Sequence, residues 1–131
     1  MTEMNRKDYP APEINPETET FWNATAEGKL LLKRCKACDK VHYYPRAICP
    51  HCLSDDTEWV AASGRGRIYS YTVLRKAPVP YALAYVTLEE GVTMMTNIVD
   101  CAFDDIALDK PVSVVFGDTG EGPALPLFTL A

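Results

Sequence analysis

Two Cys-x-x-Cys pairs, ten residues apart, restrict the fold of this chain more than any other feature of its sequence. The first pair is Cys35 and Cys38, and the second pair is Cys49 and Cys52. A Cys-x-x-Cys turn brings two sulfurs to one metal ion, and two such turns on facing hairpins complete a tetrahedron of thiolates. Four thiolates leave no coordination position open, so this spacing predicts a structural zinc ion in a ribbon of small hairpins.

The same four cysteines have other possible uses. Iron in a rubredoxin-like site takes the same ligands, and the sequence does not distinguish it from zinc. Redox disulfides would need an oxidising compartment or a thioredoxin-type frame, and the sequence indicates neither. His42 and His51 lie near the cysteines, and we expect them to be exposed or outside the coordination sphere. Cys101 is expected to be a small buried group at a strand end, because no base is predicted beside it.

The remaining sequence predicts one helix followed by short strands. Asn15 and Pro16 suit a helix start, and Gly28 suits its end. Phe21 and Trp22 would anchor this helix, either on the chain's own core or on a partner. Alternation of hydrophobic and polar residues predicts strands over 68–74, 81–88, 92–99, 112–116 and 125–130. Closely spaced strands without helices between them predict a small barrel.

The predicted organisation has three consecutive parts: an N-terminal arm and helix over 1–28, a zinc ribbon over 29–62 and a barrel over 63–131. Residues 1–15 are expected to form an extended or mobile arm. Ten bases and four acids lie within 29–76, whereas both flanks are acidic and the whole chain has a net charge of −5. This basic middle suits a compact anion better than a long polyanion. The sequence contains no membrane-length apolar run and no signal-type core, so we expect a cytoplasmic protein.

Short motifs in a fixed order resemble a known family. They are Phe21-Trp22, Glu27-Gly28-Lys29-Leu30, Arg34-Cys35, Tyr44-Pro45-Arg46, Cys49-Pro50, Gly64 to Val73 and Leu125-Pro126-Leu127-Phe128. Together they resemble the rubredoxin-like zinc-ribbon plus OB-fold proteins associated with acyl-CoA metabolism, over about residues 20–131. The resemblance implies a mainly β protein whose five-stranded barrel is an OB-fold. Asp39 and Leu53 follow the second cysteine of each pair, where glycine is common at least in the first, which leaves the turn type at Leu53 open.

The resemblance also implies a function. Family members are usually non-catalytic subunits that assemble with thiolase-fold enzymes, or with related aldolases and hydratases. The small subunit of benzoylsuccinyl-CoA thiolase is one member of the family that this sequence resembles. We therefore expect a zinc-binding accessory subunit that stabilises a thiolase-fold catalytic subunit in a hetero-oligomer. The sequence contains no readable pair of carboxylates and no predicted nucleophile–base pair, so no catalytic residue is expected and the chain alone is not expected to be an enzyme.

Three arginines are candidates for binding the phosphates of coenzyme A or acyl-CoA shared with that partner. They are Arg46, Arg65 and Arg67, since guanidinium groups suit compact phosphates. The alternative is that Gly64–Arg67 simply opens the first barrel strand and that its charges are solvated.

Several tyrosines keep a different function open. OB-folds stack bases on exposed aromatic side chains, so a single-stranded nucleic-acid-binding protein is the main alternative. Tyrosines that alternate with Ser and Thr are, however, expected to be half-buried in the barrel, and the acidic net charge disfavours nucleic acid. We therefore expect neither a nucleic-acid partner nor a membrane partner. An electron carrier of the rubredoxin type, which would be red, is a third possible class of function. The tyrosines are Tyr43, Tyr44, Tyr69, Tyr71, Tyr81 and Tyr85.

Overall fold

The computed structural model describes residues 9–120 and 122–131, which form one α-helix, a three-stranded sheet and a closed barrel. The elements are α1 (Glu19–Ala26), β1 (Leu31–Cys35), β2 (Val41–His42), β3 (Thr57–Ala61), β4 (Arg65–Leu74), β5 (Tyr81–Leu88), β6 (Thr93–Ile98), a 3₁₀ helix (Phe103–Asp105), β7 (Pro111–Gly117) and β8 (Leu125–Leu130). All five predicted barrel strands are present, whereas β3 was not predicted. No helix among the described residues has the length and apolar character needed to cross a bilayer.

The helix begins later than the sequence predicts. The Thr18 amide donates to the side-chain oxygen of Asn15 at 3.1 Å and to its carbonyl at 3.0 Å, which closes a tight turn over Pro16. The regular helix therefore starts at Glu19. Asn15 serves the predicted capping role, but it caps this preceding turn.

The helix ends where the sequence predicts. Gly28 has φ +77°, its amide donates to the Thr25 carbonyl at 3.0 Å, and the Lys29 amide donates to the Ala24 carbonyl at 2.9 Å. These two hydrogen bonds form a Schellman motif, which requires a left-handed residue at the position that Gly28 occupies. The motif turns the chain directly from α1 into β1.

The three-stranded sheet has the order β2-β1-β3, and both pairings are antiparallel. The β1–β3 register runs from Leu31 opposite Ala61 to Cys35 opposite Thr57. Lys33 is buried in the middle of β1, with its ammonium 4.4 Å from the centre of the Trp59 ring. This cation–π contact helps to hold β3 against β1.

The barrel has the strand order β4-β5-β6-β8-β7, and β7 pairs back with β4. β6 and β8 are parallel and the other pairs are antiparallel, so this is the OB-fold barrel that was expected. A Cβ at Gly66 would lie 2.5 Å from the Thr87 carbonyl oxygen, so glycine allows the close approach of β4 and β5 there. The buried interior consists of Ile68, Ala82, Ala84, Val86, Leu88, Met94, Ile98, Val112 and Phe128.

The helix and the barrel share one hydrophobic core. Phe21 and Trp22 are 0% and 5% exposed and belong to the same buried cluster as Leu30, Leu32 and the barrel interior. The Trp22 indole donates to the Tyr44 hydroxyl at 2.9 Å. The two aromatic residues therefore dock on the chain's own core, the first of the two alternatives for them.

The described part of the N-terminal arm is anchored. Tyr9 is 9% exposed and packs with Val99 and Leu127 beside the barrel. Residues 9–15 contain no helix or strand, as expected, and of the two alternatives, an extended or a mobile arm, the burial of Tyr9 favours the extended one. Residues 1–8 of the predicted arm lie outside the described residues.

Candidate metal centre and barrel cavity

The four predicted cysteines meet at one point. The Cys35 and Cys52 sulfurs are 3.5 Å apart, the Cys38 and Cys49 sulfurs are 3.7 Å apart, and all four lie within 4.8 Å of one another. Tetrahedral zinc with Zn–S bonds of about 2.3 Å requires sulfurs separated by about 3.8 Å. The cluster therefore has the size and the donor set of a closed zinc site.

The two turns that carry these sulfurs have the same backbone geometry. The Asp39 amide donates to the Cys35 carbonyl at 2.8 Å, and the Leu53 amide donates to the Cys49 carbonyl at 2.9 Å. Asp39 and Leu53 are both left-handed, with φ of 63° and 68°. Leu53 therefore adopts the same turn as Asp39, which settles the open turn type, although such a backbone disfavours a residue with a Cβ by roughly 1–2 kcal/mol.

Backbone amides support the sulfurs in the charged form. Burial raises the pKa of Cys49, but the amides of Cys52 and His51, together with hydrogen bonds to the Cys38 and Cys35 sulfurs, lower it to about 7. The Ser54 amide lowers the pKa of Cys52, but the neighbouring sulfurs, Cys35 first, raise it to about 12. Four crowded thiolates repel one another, so a cation is needed to hold all of them ionised, and zinc supplies that charge.

The neighbouring histidines do not join the cluster. The metal-ligand group found among residues 9–120 and 122–131 contains the four cysteines without a histidine. His42 is buried, and its Nε2 accepts from the Arg46 amide at 3.2 Å, while His51 is exposed. The exposed position of His51 agrees with expectation, and His42 has a structural hydrogen bond in the ribbon.

Cys101 has the environment of a structural thiol. It follows β6 and is partly buried against the main core. Burial, followed by the nearby Asp105 and Asp100 carboxylates, raises the pKa of this thiol. A raised pKa disfavours the thiolate, which is the nucleophilic form of cysteine.

The structure separates the three candidate arginines into two groups. Arg65 and Arg67 line one cavity of about 560 Å³ between the start of β4, the end of β5 and the connection from β6 to β7. Arg46 does not line this cavity: it lies in the ribbon, where its guanidinium is 3.7 Å from the Glu17 carboxylate. The three side chains are thus not brought together at one place.

The two cavity arginines have different partners. Arg65 donates through Nε and Nη2 to the Glu89 carboxylate, both at 3.2 Å. Arg67 donates through Nη1 to the Asp109 carbonyl, a neutral acceptor, at 2.9 Å. An ion pair therefore offsets the charge of Arg65, whereas the hydrogen bond of Arg67 is to a neutral carbonyl in a cavity that Glu89 and Asp109 also line. Arg67 is the better placed of the two to receive an anion from outside the chain.

The cavity also has aromatic and apolar walls. Tyr69 is 71% exposed at its edge, and Leu88, Leu108 and Val112 contribute apolar surface. Its volume is within the range of small-molecule sites, about 300–1,000 Å³. Sequence reasoning did not find Tyr69 or Leu108 as cavity residues, because only the barrel closure brings the β6–β7 connection beside β4.

The expectation that the tyrosines are half-buried in the barrel is wrong for Tyr69, whereas Tyr71 and Tyr85 keep about half of their surface covered. Tyr69, Tyr71 and Tyr85 are 71%, 39% and 47% exposed. A register shift between Ile68 and Ser70 inserts Tyr69 as an extra residue in β4 and changes which side chains face outward. Tyr43 and Tyr44 instead pack against Phe21 of the helix.

Two family models match adjoining parts of the chain. Residues 22–58 match the ChsH2 rubredoxin-like zinc ribbon domain, and residues 59–117 match the ChsH2 C-terminal OB-fold domain. The first match contains all four cysteines, and the second contains both arginines of the cavity.

Several known proteins are similar to this chain. The "Probable enoyl-CoA hydratase alpha subunit" of Thermomonospora curvata is 36% identical over 91% of this chain and 39% of its own length. A "DUF35 domain-containing scaffold protein" of Methanocaldococcus jannaschii is 38% identical over 63% of this chain and 64% of its own length. The chain thus spans about two fifths of the first relative and just under two thirds of the second.

A solved structure and a thiolase subunit extend this likeness. The structure named "Ltp2-ChsH2(DUF35) aldolase" has a TM-score of 0.81 and 35% identity, covering 91% of this chain and 98% of that one. The benzoylsuccinyl-CoA thiolase subunit BbsA of Thauera aromatica is 29% identical over 72% of this chain and 70% of its own length. These comparisons confirm the resemblance drawn from the short motifs. The chain belongs to the ChsH2 (DUF35) family, whose members join a rubredoxin-like zinc ribbon to an OB-fold domain.

Proposed function

We propose that this chain is a non-catalytic accessory subunit of a thiolase-like enzyme that acts on acyl-CoA, and that it stabilises the catalytic subunit. The observation that carries the proposal is the closed cluster of four sulfurs, because a metal with four protein ligands has no position for a substrate. Relatives named as subunits of a hydratase and a thiolase, and as scaffold proteins, support the same role.

We further propose that the barrel cavity contributes to binding coenzyme A. Arg67 would contact a phosphate of the ligand. Arg65 would contact the same ligand when the phosphate shares or replaces the Glu89 carboxylate as its partner. Tyr69 offers an exposed ring at the cavity edge, and the apolar wall suits an uncharged part of the ligand. Arg46, which interacts with Glu17, would contribute only where the partner's surface brings the ligand to the ribbon.

The isolated chain is expected to turn over no acyl-CoA. The full chain is purified to homogeneity, incubated with a panel of acyl-CoA thioesters and followed by chromatography for thiolysis, hydration or carbon–carbon cleavage. Activity is expected only when the catalytic subunit that co-purifies with the tagged chain is added. Turnover by the homogeneous chain would show that it carries a catalytic site of its own.

Reversing the cavity arginines is expected to weaken coenzyme A binding by the assembled complex. Arg65→Glu together with Arg67→Glu replaces two positive charges by negative ones. Removing a hydrogen bond to a charged group costs about 1.5–3 kcal/mol, which corresponds to roughly tenfold or more in Kd. Isothermal titration of the complex with coenzyme A measures this change.

Arg75→Glu provides the matched control. Arg75 lies just after β4, interacts with Asp104 at 3.6 Å and does not line the cavity. This variant is expected to bind coenzyme A as the wild type does. An unchanged Kd for the double variant, with assembly intact, would contradict the assignment of the cavity.

A further inference from the structure

Part of the outer surface of the barrel sheet, beyond the row of Arg67 and Thr87, contains no charged side chain, and we call it the uncharged face. It consists of two neighbouring rows across β4, β5 and β6: Ser70, Tyr85 and Met95 in the first row and Thr72, Leu83 and Asn97 in the second. The residues that alternate with them on β5, Ala82, Ala84 and Val86, are buried in the barrel. Successive side chains of a strand point to opposite faces, so the uncharged face points away from the core.

The centre of the uncharged face is apolar and exposed. Tyr85 and Met95 are directly opposite each other on β5 and β6, and they are 47% and 56% exposed. Leu83 lies two residues along β5 on the same side. A single exposed apolar residue is ordinary on a protein surface, but an adjoining aromatic and methionine pair is typical of the centre of a protein interface.

The lack of charge extends along β5, β6 and the part of β4 that follows Arg67. No Asp, Glu, Lys or Arg occurs within 68–74, 81–88 or 93–98, although 24% of the chain is charged. Depletion of acidic residues and lysine distinguishes the buried centre of an interface from the rest of a protein surface. The pattern is therefore that of a surface from which water is excluded by a partner.

The chemistry of the uncharged face selects among the possible occupants. A nucleic acid requires lysine or arginine to neutralise its phosphates, and this face offers neither. A second copy would bring together two chains that each have a net charge of −5. The face itself, three strands about 4.8 Å apart, covers on the order of 250 Å², against roughly 800 Å² per partner in a stable interface, so any partner that docks here must also contact the chain outside the face.

We infer that the uncharged face is the surface on which the catalytic subunit of the acyl-CoA enzyme docks. The partner would present an uncharged, largely apolar centre, and would reach the required area by also contacting the chain outside this face. This inference rests on the proposed function, because it assigns a place on the fold to the partner proposed there.

Photo-crosslinking tests which molecule touches the face. Benzoylphenylalanine is introduced at Tyr85 or at Met95 of the full chain, which is expressed together with the catalytic subunit that co-purifies with it. Both positions are expected to crosslink to that subunit, whereas the same group at Ile14, an apolar residue 46% exposed before α1, is not. Crosslinks to a second copy or to nucleic acid, or an intact complex without crosslinks from either position, would overturn the inference.

Charge introduced into the face tests its contribution to affinity. Tyr85→Glu and Met95→Glu are each expected to weaken association with the catalytic subunit by about 30-fold, as when one central interface residue is removed. Tyr85→Phe and Ile14→Glu are expected to retain the wild-type Kd. Zinc content and circular dichroism establish that each variant is folded.

The outcomes separate the inference from the proposed function. If the wild-type chain binds the catalytic subunit and both glutamate variants bind it equally well, the docking surface is wrong and the accessory role stands. If no acyl-CoA enzyme associates with the wild-type chain, the proposed function fails and this inference fails with it.

Discussion

A Cys35→Ser variant is expected to lose its zinc ion and, with it, the folded structure of the ribbon. Cys35 is completely buried at the end of β1, and its sulfur lies 3.5 Å from that of Cys52. Metal binding contributes about 10–16 kcal/mol in zinc-finger peptides near neutral pH. Three short strands cannot replace that contribution by burying apolar surface.

The destabilisation is expected to reach the barrel as well. Leu30 and Leu32 of the ribbon segment belong to the same buried cluster as the barrel interior. Exposing this side of the core removes several kcal/mol of stability, and the melting temperature is expected to fall by more than about 10 °C.

Metal analysis, circular dichroism and thermal melting measure these effects together. Cys101→Ser makes the same chemical change outside the cluster, and it is expected to keep one zinc ion per chain and the wild-type melting temperature. A Cys35→Ser protein that is metal-free yet melts like the wild type would contradict a structural role for the metal. A red wild-type protein containing iron would contradict zinc itself.

The second large effect is expected for Phe21→Ala. Phe21 is fully buried, and its ring contacts those of Trp22, Tyr43 and Tyr44 at centroid distances of 4.8, 5.8 and 5.6 Å. Removing a buried phenylalanine side chain costs about 3–5 kcal/mol, because apolar burial is forfeited and a cavity remains. Here the cavity would lie between the helix and the ribbon, so the variant is expected to loosen α1 from the rest of the chain.

Urea unfolding gives the change in free energy for this variant. Tyr69→Ala is the matched aromatic control, because Tyr69 is 71% exposed and its removal is expected to change stability by less than about 0.5 kcal/mol. Phe21→Leu is expected to be much less destabilised than Phe21→Ala, since leucine refills part of the cavity. A Phe21→Ala variant whose unfolding free energy equals that of the wild type would show that the helix is not held by this residue.

The metal cluster could be predicted from the sequence because its geometry is mostly local. In each Cys-x-x-Cys turn the ligands are three residues apart, and the backbone hydrogen bond that closes the turn lies within five residues. The same locality explains why Gly28 marked the helix end correctly. The turn type at Leu53 was uncertain because the Cys-x-x-Cys turn imposes a left-handed backbone that leucine does not itself prefer.

Other features depended on contacts between residues distant in sequence. β3 was missed although Thr57, Trp59 and Val60 favour strands, because five residues without a clear alternation give a weak signal; pairing with β1 and the Lys33–Trp59 contact hold it in place. The exposure of Tyr69 follows from the register shift in β4, which is set by pairing with β5. Propensity rules do not capture such shifts, because a strand alone does not specify its partner.

The spacing of four cysteines and the alternation along five short strands were by themselves enough to predict a four-thiolate metal ribbon followed by the strands of a small barrel, since sulfur ligation and side-chain period act over a few residues. The tertiary structure decided which surfaces the barrel leaves open. It placed Arg65 and Arg67 on one cavity and Arg46 elsewhere, and it aligned Tyr85 with Met95. Those positions depend on strand register and barrel closure, which long-range pairing fixes and no local stretch of sequence encodes.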